Sequence, residues 1–367
     1  MPEDTVSILF AAGGTGGHLF PAIAIAEEIR KLRPEAVIEF VGTRDKIEAR
    51  VVPEKGFGFS TIWISGLHRR LTVDNLLFPA KVIVSLVQSF FLIRRLKPDV
   101  VVGTGGYVCG PILYAASLLG IPTVAHESNS YPGVTTRLLA SRVTKLLLTF
   151  EVTKRWLPKL SNAKVELVGN PTRGAMGSVS REEGIASFGL DPGKKILLVI
   201  GGSLGASSLN GMVEKNISRI EKSGIQVIWQ TGEKEFERFS SNRSSSVWVG
   251  KFIDRMECAY AAADVVICRS GATTLAELTR LGKPAILVPY PHAAANHQEL
   301  NAQAMVEAGA AVMVRDSELD SRGLETIEEM FSHAAFLDAM GEKSRSLGRP
   351  EAGRDIAKKI LGLAATR

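Results

Sequence analysis

The sequence predicts an α/β protein with two doubly wound parallel sheets, and three observations support this prediction. Short runs rich in Val, Ile and Leu alternate with amphipathic stretches of helical length, which is typical of buried parallel strands joined by helices. Glycine-rich loops follow several of these runs, as they do at the ligand sites of doubly wound sheets. The chain has 367 residues, enough for about two domains.

Nine apolar runs are the strand candidates, and helices are expected to follow most of them. In chain order these runs span residues 6–11, 37–41, 100–103, 123–126, 196–200, 227–230, 265–268, 285–288 and 311–314. The first helix is expected at 21–32, because Pro21 suits the first turn of a helix.

The two halves of the chain resemble one another. ILFAAGGTGGH at 8–18 aligns with ILLVIGGSLGA at 196–206, and DVVVGTGG at 99–106 resembles DVVICRSG at 264–271. The simplest interpretation is two similar doubly wound domains. The boundary between them is expected near residues 160–172, where an Asn-Pro pair signals a turn.

Charge is distributed unevenly along the chain. The net charge is +6, but residues 1–165 carry 20 Lys and Arg against 13 Asp and Glu, a net of +7, which leaves −1 for residues 166–367. The first half is therefore the part expected to meet anions. No nucleic acid partner is expected, because the chain has no Lys/Arg-rich helix and only 7% aromatic residues. Phosphate-bearing small molecules or an anionic membrane surface fit better.

The cysteines and the first residues favour a reducing, cytoplasmic compartment. Cys109, Cys258 and Cys268 are odd in number and form no C-x-x-C pair, so neither a disulfide framework nor a zinc knuckle is expected. The N-terminal residues are acidic where an export signal would carry Lys or Arg.

The stretch 75–93 carries a single charge, Lys81. It contains Pro79 and falls short of the roughly 20 apolar residues that comfortably span a bilayer. One interpretation is a buried helix. The other is a helix that lies on an anionic membrane, because basic residues flank the stretch at 68–70 and at 94–97.

Four glycine-rich loops are the strongest local features. The first, GGTGGH at 13–18, lies between a strand candidate and a helix, and three more begin at Gly103, Gly201 and Gly271. Glycines let the backbone approach a phosphate closely, and a helix N-terminus offers free N–H groups. One such loop can be a packing device only, but four together predict a diphosphate or sugar-phosphate site.

Three other kinds of site fit less well. A nicotinamide site requires an acidic residue at the tip of the second strand, but here that strand ends FVGTR at 40–44, without a carboxylate. A P-loop requires G-x-x-x-x-G-K-[ST], and no stretch of the chain supplies it. The loop GGSLG does satisfy the G-x-S-x-G of a hydrolase, with Ser203 as nucleophile and Asp264 and His292 following in the right order. A phosphate-binding hydroxyl explains both this serine and the equivalent Thr15 of the first half.

No metal or other cofactor is expected. The aspartates never occur as D-x-D, and His292 and His297 form the closest histidine pair, without the flanking pattern of a zinc enzyme. A diphosphate leaving group would then be stabilised by helix N-termini, hydroxyls and arginines, with Arg173 and Arg269 as candidates.

Eight motifs, in fixed order through nearly the whole chain, resemble those of the MurG family of peptidoglycan N-acetylglucosaminyltransferases. They are GGTGGH at 13–18, GTGGYVCGP at 103–111, HESN at 126–129, GNPTR at 169–173, GGSLGA at 201–206, FIDRM at 252–256, CRSGATTLAE at 268–277 and HQELNA at 297–302. The chain departs from the usual HEQN at Ser128, and it has Ala295 and Asn296 where many members carry acidic residues.

The resemblance implies the GT-B fold, in which two doubly wound Rossmann-like domains face each other across a cleft. It implies an inverting transfer of GlcNAc from UDP-GlcNAc to the C4 hydroxyl of MurNAc in undecaprenyl-pyrophosphoryl-MurNAc-pentapeptide (lipid I), giving lipid II. A domain at 1–165 would bind the lipid acceptor, and one at 166–345 would bind UDP-GlcNAc. A helix within 346–367 would pack back on the first domain. The enzyme would lie on the cytoplasmic face of the membrane, touching anionic lipid through 68–97, with other cell-wall synthesis proteins as candidate partners.

The resemblance also implies roles for individual residues. UDP-GlcNAc would be bound by Thr15, Gly16, Gly17, Asn129, Arg173, Ser203, Ile253, Ala272, Thr273, Thr274, Leu275, Ala276, Glu277 and Gln298. The acceptor diphosphate would be bound by Gly14, His18, Gly105, Gly106, Tyr107, His126 and Glu127. Within the donor set, Ile253 would meet uracil through its backbone, Glu277 would accept hydrogen bonds from the ribose hydroxyls, and Ser203 would hold the diphosphate.

An inverting transfer needs a base near the incoming hydroxyl, and His18 is our hypothesis for it. The other interpretation is that His18 only hydrogen-bonds the acceptor or caps the helix. Two alternative functions stay open at this point: a UDP-GlcNAc 2-epimerase of the same fold, and a hydrolase that uses Ser203.

Overall fold

The chain forms two compact units. A computed structural model of the protein describes residues 5–66, 77–161, 163–172, 174, 176–202 and 204–365. One unit comprises Met1–Thr172 together with Pro350–Arg367, and the other comprises Arg173–Arg349.

The first unit contains a parallel sheet. Its strands are β1 (Ser7–Ala11), β2 (Val37–Gly42), β3 (Gly58–Thr61), β4 (Val100–Gly103), β5 (Thr123–Glu127), β6 (Lys145–Leu148) and β7 (Val165–Leu167). Their spatial order is β3-β2-β1-β4-β5-β6-β7, and each neighbouring pair is parallel. Because the order reverses at β1, which lies between β2 and β4, the sheet is doubly wound.

Helices cover both faces of this sheet. They are α1 (Gly16–Leu32), α2 (Ile47–Glu54), α3 (Phe78–Leu96), α4 (Cys109–Leu118), α5 (Val134–Leu139) and a C-terminal helix (Ala352–Ala364), with a 3₁₀ turn at Glu151–Trp156. Alternate residues of β1 point to opposite faces: Ile8 and Phe10 join one core cluster, and Leu9 and Ala11 join another. This two-sided burial explains why β1 is apolar at every position after Ser7.

The C-terminal helix packs in the first unit, against α1. Its Ile356, Ala357 and Ile360 are fully buried and belong to the core cluster that contains Ile8. The last helix of the chain therefore completes the core that the first strand begins.

The second unit contains a similar sheet. Its strands are β8 (Lys195–Ile200), β9 (Ile225–Gln230), β10 (Val247–Gly250), β11 (Val265–Cys268), β12 (Ala285–Leu287) and β13 (Val312–Met313). Their order is β10-β9-β8-β11-β12-β13, again parallel throughout. The helices are α6 (Arg181–Phe188), α7 (Ser207–Lys222), α8 (Phe236–Phe239), α9 (Met256–Ala262), α10 (Ala272–Leu281), α11 (His297–Glu307), α12 (Leu319–Ser332) and α13 (Ala334–Leu347), with 3₁₀ turns at Ser240–Asn242, Ala294–Asn296 and Asp316–Glu318.

The predicted fold class is confirmed, and all nine strand candidates are strands. The sequence predicts no strand at β3, β6, β7 or β10. Two of these, β3 and β7, are edge strands whose partly exposed residues form no continuous apolar run. The third edge strand, β10, is mostly buried but only four residues long. Since β7 pairs with β6, the first unit extends to Thr172, beyond the expected division after residue 165.

Most of the apolar stretch at 75–93 belongs to α3, which starts at Phe78. Residues 75 and 76 of the stretch lie outside the described part of the chain. Pro79 lies in the first turn of this helix. Backbone N–H groups there have no partner within the helix, so the missing N–H of proline does not break it. Within the described residues, no helix is long and apolar enough to cross a membrane.

Candidate functional site

The four glycine-rich loops lie at the points where the strand order of each sheet reverses. In the first unit the loops follow β1 and β4, which are neighbours, and in the second unit they follow β8 and β11, which are also neighbours. The carboxyl ends of neighbouring parallel strands share one edge of a sheet, and this is where doubly wound sheets bind ligands. Each unit therefore carries a candidate ligand site of its own.

The loop after β1 turns sharply into α1. Gly14 has a φ of +87°, a left-handed conformation that glycine adopts without a steric penalty. Thr15 is extended and precedes the helix, and its carbonyl oxygen accepts hydrogen bonds from the N–H groups of His18 and Leu19. Thr15 and Gly17 are exposed, so they are accessible to a ligand.

A buried carboxylate lies behind this loop. Glu48 has no exposed surface, and its Oε2 accepts a hydrogen bond from the Gly14 N–H at 3.2 Å. Its Oε1 accepts two from Thr43, from the N–H at 3.1 Å and from Oγ1 at 2.9 Å. The Gly14 N–H is thus already used within the protein.

His18 and Tyr107 pack between the first two glycine-rich loops. A Cβ on Gly105 would collide with Nδ1 of His18, and a Cβ on Gly14 would lie 2.9 Å from Cε1 of Tyr107. The Thr104 hydroxyl donates to the His18 carbonyl oxygen at 2.8 Å. The structure therefore brings together five residues that the resemblance assigns to the acceptor: Gly14, His18, Gly105, Gly106 and Tyr107.

His126 and Glu127, also assigned to the acceptor, end β5 and bond to their own chain. His126 is buried, and its Nε2 donates to the Gly169 carbonyl oxygen at 2.9 Å. Burial lowers the pKa of His126, although the Gly169 carbonyl and the charge of Glu127 oppose this shift. The imidazole is therefore neutral at neutral pH and does not offer a positive charge to a diphosphate.

The Glu127 carboxylate organises the loop that follows β5. Its Oε1 accepts from the N–H of Asn129 at 3.0 Å and from Nδ2 of Asn129 at 3.3 Å. Its Oε2 accepts from the Gly133 N–H at 2.9 Å and from the Thr136 hydroxyl at 2.6 Å. Four hydrogen bonds fill this carboxylate, so its structural role is to hold Asn129 in place.

In the second unit, a buried glutamine links the loop after β8 to Ile253. Gln230 ends β9, and its Nε2 donates to the Gly202 carbonyl oxygen at 2.8 Å. Its Oε1 accepts from the Ile253 N–H at 3.1 Å. Ser203 lies outside the described residues. The loop and the residue expected to meet uracil are therefore parts of one hydrogen-bonded assembly.

The fourth glycine-rich loop leads into α10, which begins at Ala272 and has no side-chain cap. Thr273 lies in the first turn, and its Oγ1 is buried without a hydrogen-bond partner among the described residues. Further along the helix, Glu277 is buried and its Oε2 accepts from the Tyr260 hydroxyl at 2.9 Å. Leu275 is almost fully buried, and its N–H donates to the Gly271 carbonyl oxygen at 3.0 Å, so it offers neither its side chain nor its N–H to a ligand.

Gln298 begins a polar connection to the same loop. Its Oε1 accepts from the Tyr290 N–H at 3.0 Å, and its carbonyl oxygen accepts from the Ser270 hydroxyl at 2.7 Å. Ala295 and Asn296, just before α11, both have left-handed backbones, with φ of 50° and 55°. This conformation is unfavourable for alanine and marks a strained turn beside the candidate site.

The sequence predicts two arginines, Arg173 and Arg269, as candidates to stabilise a diphosphate. Arg173 lies outside the described residues. Arg269 is largely buried and pairs with Asp316 at 2.5 Å, while Nη2 donates to the Ser208 hydroxyl at 2.9 Å and Nη1 to the carbonyl oxygens of Val288 and Pro289 at 3.2 Å. Arg269 therefore holds its own unit together.

The cysteines carry no reactive character. All three are buried free thiols, and burial raises the pKa of Cys109 to about 12. The described residues contain no group of three or more His, Cys, Asp or Glu side chains that is placed to hold a metal ion.

Three residues of these sites carry no motif in the sequence: Glu48, Gln230 and Tyr260. Gln230 carries one weak signal, since it is the polar residue that ends the otherwise apolar run VIWQ at 227–230. Glu48 and Tyr260 act through contacts with residues 34 and 17 positions away, which no local pattern reveals.

The chain matches two family models, one for each unit. Residues 8–148 match the glycosyltransferase family 28 N-terminal domain, and residues 196–360 match the glycosyltransferase family 28 C-terminal domain.

Individual relatives agree with these matches. A protein of Flavobacterium psychrophilum, named UDP-N-acetylglucosamine--N-acetylmuramyl-(pentapeptide) pyrophosphoryl-undecaprenol N-acetylglucosamine transferase, is 41% identical over 362 residues, 98% of each chain. The crystal structure of MurG from Acinetobacter baumannii has a TM-score of 0.77 and 26% identity, covering 98% of this chain and 99% of that one. A UDP-N-acetylglucosamine 2-epimerase has a TM-score of 0.67 over 99% and 98% of the two chains, but at 15% identity it is similar in fold alone.

Proposed function

The chain belongs to glycosyltransferase family 28, and we infer from this membership and from its relatives that it is an N-acetylglucosaminyltransferase of peptidoglycan synthesis. It transfers GlcNAc from UDP-GlcNAc to lipid I and produces lipid II. The observation that carries this function is the 41% identity to a transferase of that name over 98% of both chains. The epimerase and the hydrolase are disfavoured, because neither has a relative of comparable identity among these proteins.

The reaction proposed for the site is a direct displacement. The C4 hydroxyl oxygen of MurNAc attacks the anomeric carbon of GlcNAc, and the bond from that carbon to the UDP oxygen breaks. UDP leaves with the electron pair, and the hydroxyl proton passes to a base. One displacement inverts the anomeric centre and gives a β-1,4 linkage.

UDP-GlcNAc is proposed to bind the second unit. Two features support this: the uncapped start of α10 offers N–H groups to a diphosphate, and the Thr273 hydroxyl there has no protein partner among the described residues. Glu277 is a buried acceptor for the ribose hydroxyls, and Tyr260 orients it. Because the Ile253 N–H is bonded to Gln230, uracil would use the Ile253 carbonyl oxygen or displace Gln230.

His18 is proposed as the base. Its Nδ1 is buried against Gly105, so a hydroxyl can reach the ring only from the Nε2 side. Thr15, Gly16 and Gly17 precede it at the start of α1 and are proposed to reach the donor sugar.

The acceptor diphosphate is proposed to lie at the second glycine-rich loop, on Gly106 and Tyr107. The other assigned residues contribute less directly: Gly14 donates its N–H to Glu48, and the side chains of His126 and Glu127 bond to their own chain. They shape the acceptor site in this proposal and do not touch the phosphates.

Helix α3 is proposed to lie on the cytoplasmic face of the membrane. Ile83, Val87 and Phe91, four residues apart and 64%, 51% and 66% exposed, form an apolar stripe along its outer face. Arg94 and Arg95 follow the stripe and are exposed, as expected for contact with anionic lipid. The basic residues at 68–70 lie outside the described residues. Other cell-wall synthesis proteins remain candidate partners from the resemblance alone.

The function is tested by transfer of radiolabelled GlcNAc from UDP-GlcNAc to a short-chain lipid I analogue, in EDTA and beside a serine-hydrolase probe. We expect label in the lipid product and no probe adduct. UDP-ManNAc in place of labelled lipid would establish the epimerase, and a labelled Ser203 would establish the hydrolase. Transfer that stops in EDTA would contradict a reaction without a metal.

A further inference from the structure

Glu48 ties the first glycine-rich loop to the end of a neighbouring strand. The carboxylate belongs to the first turn of α2, and its hydrogen bonds reach Gly14 after β1 and Thr43 after β2. Both connections join backbone N–H groups to one rigid, buried side chain. The loop conformation is therefore set from behind, by a residue with no surface for a ligand.

Two glycines make room for this carboxylate. A Cβ on Gly13 would lie 2.5 Å from Glu48 Oε1, and a Cβ on Gly42 would collide with Glu48 Cγ. Neither position tolerates a side chain while Glu48 stays in place. Gly13, just after β1, and Gly42, at the end of β2, are therefore needed to leave space for the Glu48 side chain.

The carboxylate has no cationic partner among the residues that the structure describes. Its hydrogen-bond donors among these residues are two N–H groups and one hydroxyl. Burying a carboxylate is costly even when it is hydrogen-bonded, and an apolar side chain would fill the same space at lower cost. The position therefore favours a role in the site over a role in stability alone.

The same carboxylate also acts on Tyr107, whose ring packs on Gly14. Burial raises the pKa of Tyr107, the Thr43 side chain lowers it by hydrogen bonding, and the charge of Glu48 raises it. Glu48 thus acts on the loop through the backbone of Gly14, and both Glu48 and Thr43 act on the ring that packs against that glycine.

We propose that Glu48 is a positioning residue of the transfer reaction, which holds the loop 13–17 so that His18 is presented to the acceptor hydroxyl. This inference rests on the proposed function. It also assigns a different role to Gly14, whose N–H belongs to the loop scaffold and not to a phosphate.

The test is Glu48→Gln, which keeps the side-chain volume. One amide oxygen can still accept from Thr43, but the amide NH₂ then faces the Gly14 N–H, donor against donor. We expect kcat on the lipid I analogue to fall about tenfold or more, with the KM for UDP-GlcNAc changed less than about twofold. We also expect hydrogen exchange of the Gly14 amide to become about tenfold faster.

Glu39→Gln is the matched control. Glu39 is a partly buried carboxylate on β2 that accepts a hydrogen bond from the Ser60 hydroxyl at 2.7 Å and makes none with the loop 13–17 among the described residues. Replacing this carboxylate by an amide should leave kcat and the hydrogen exchange of the Gly14 amide unchanged. Thr43→Val removes the hydroxyl donor to Glu48 and keeps the backbone N–H donor, so we expect a smaller effect in the same direction.

The outcomes separate this inference from the proposed function. If wild-type protein transfers GlcNAc but Glu48→Gln keeps its kcat or its Gly14 exchange rate, the positioning role is wrong and the function stands. If both measurements change only in proportion to a general loss of folded protein, the role is structural and the inference is overturned. If wild-type protein does not transfer GlcNAc, the proposed function falls, and the reaction role assigned to Glu48 falls with it.

Discussion

The imidazole of His126 donates a hydrogen bond from Nε2 to the carbonyl oxygen of Gly169, across 2.9 Å of protein interior. Two residues away, the Ser128 hydroxyl donates to Oδ1 of Asn170 at 3.1 Å. Gly169 and Asn170 belong to the segment that ends the first unit at Thr172. The HESN motif therefore anchors the chain just before it enters the second unit.

Stability should depend on pH through His126. Burial lowers its pKa in the folded state below the ordinary value of 6.5. As pH falls below 6.5, His126 binds a proton in the unfolded chain but stays neutral in the folded chain. The free energy of unfolding therefore decreases, by at most about 1.4 kcal/mol per pH unit. We expect His126→Asn to lose less stability than wild type between pH 7 and pH 5 in urea unfolding. His333→Asn, at an exposed histidine of the second unit, should match wild type.

Parallel, two-sided burial is the reason why so much of the fold was predictable. Strands β1, β4, β8 and β11 are apolar on both faces, so they appear as continuous runs followed by glycines. The edge strand β3, with the sequence GFST, has no such run. Its place is determined by pairing with β2, which is a tertiary contact.

The candidate site was predictable where backbone conformation carries it. The glycine-rich loops are visible because glycine is needed there, but the side chains behind them are not. Glu48 and Gln230 contact the loops from other elements, and Arg269, although adjacent to a loop, turns away to Asp316. A motif gives the position of a residue along the chain and not the direction of its side chain.

Replacing His18 tests the proposed base. His18→Ala should reduce turnover by about 10²-fold or more with little change in the KM for UDP-GlcNAc, because only the proton transfer is lost. Initial rates with a lipid I analogue measure this. Near-normal turnover with a raised KM for the acceptor would instead identify His18 as a binding residue.

Replacing Glu277 tests the ribose contact. Glu277→Gln keeps an oxygen for the Tyr260 hydroxyl but removes the charge, so the KM for UDP-GlcNAc should rise about tenfold with kcat little changed. Tyr260→Phe should raise the same KM by a smaller factor, because it removes one hydrogen bond that orients the carboxylate and keeps the carboxylate itself. An unchanged KM in both variants would exclude Glu277 from the donor site.

The apolar stripe on α3 predicts lipid dependence. Val87→Ser combined with Phe91→Ser should weaken binding to vesicles that contain anionic lipid, because both side chains are mostly exposed and apolar. Transfer to a water-soluble acceptor analogue should be unchanged. Phe336→Ser, at a 48% exposed phenylalanine of the second unit, is the matched control for vesicle co-sedimentation. Equal binding by all three proteins would argue against a membrane role for α3.

A partly buried lysine in the second unit predicts a second pH effect, at alkaline pH. Burial lowers the pKa of Lys283 from 10.5 to about 8, while Nζ donates to the Ala263 carbonyl oxygen at 2.7 Å. Between pH 8 and pH 10.5 the unfolded chain keeps a proton that the folded chain has released, so the free energy of unfolding rises with pH in this window. Relative to Lys283→Met, wild type should gain about 2 to 3 kcal/mol across it, measured by urea unfolding at pH 7.5, 9 and 10.5. Lys194→Met, at an exposed lysine, should show no such gain, and a constant difference between wild type and Lys283→Met would contradict the shift.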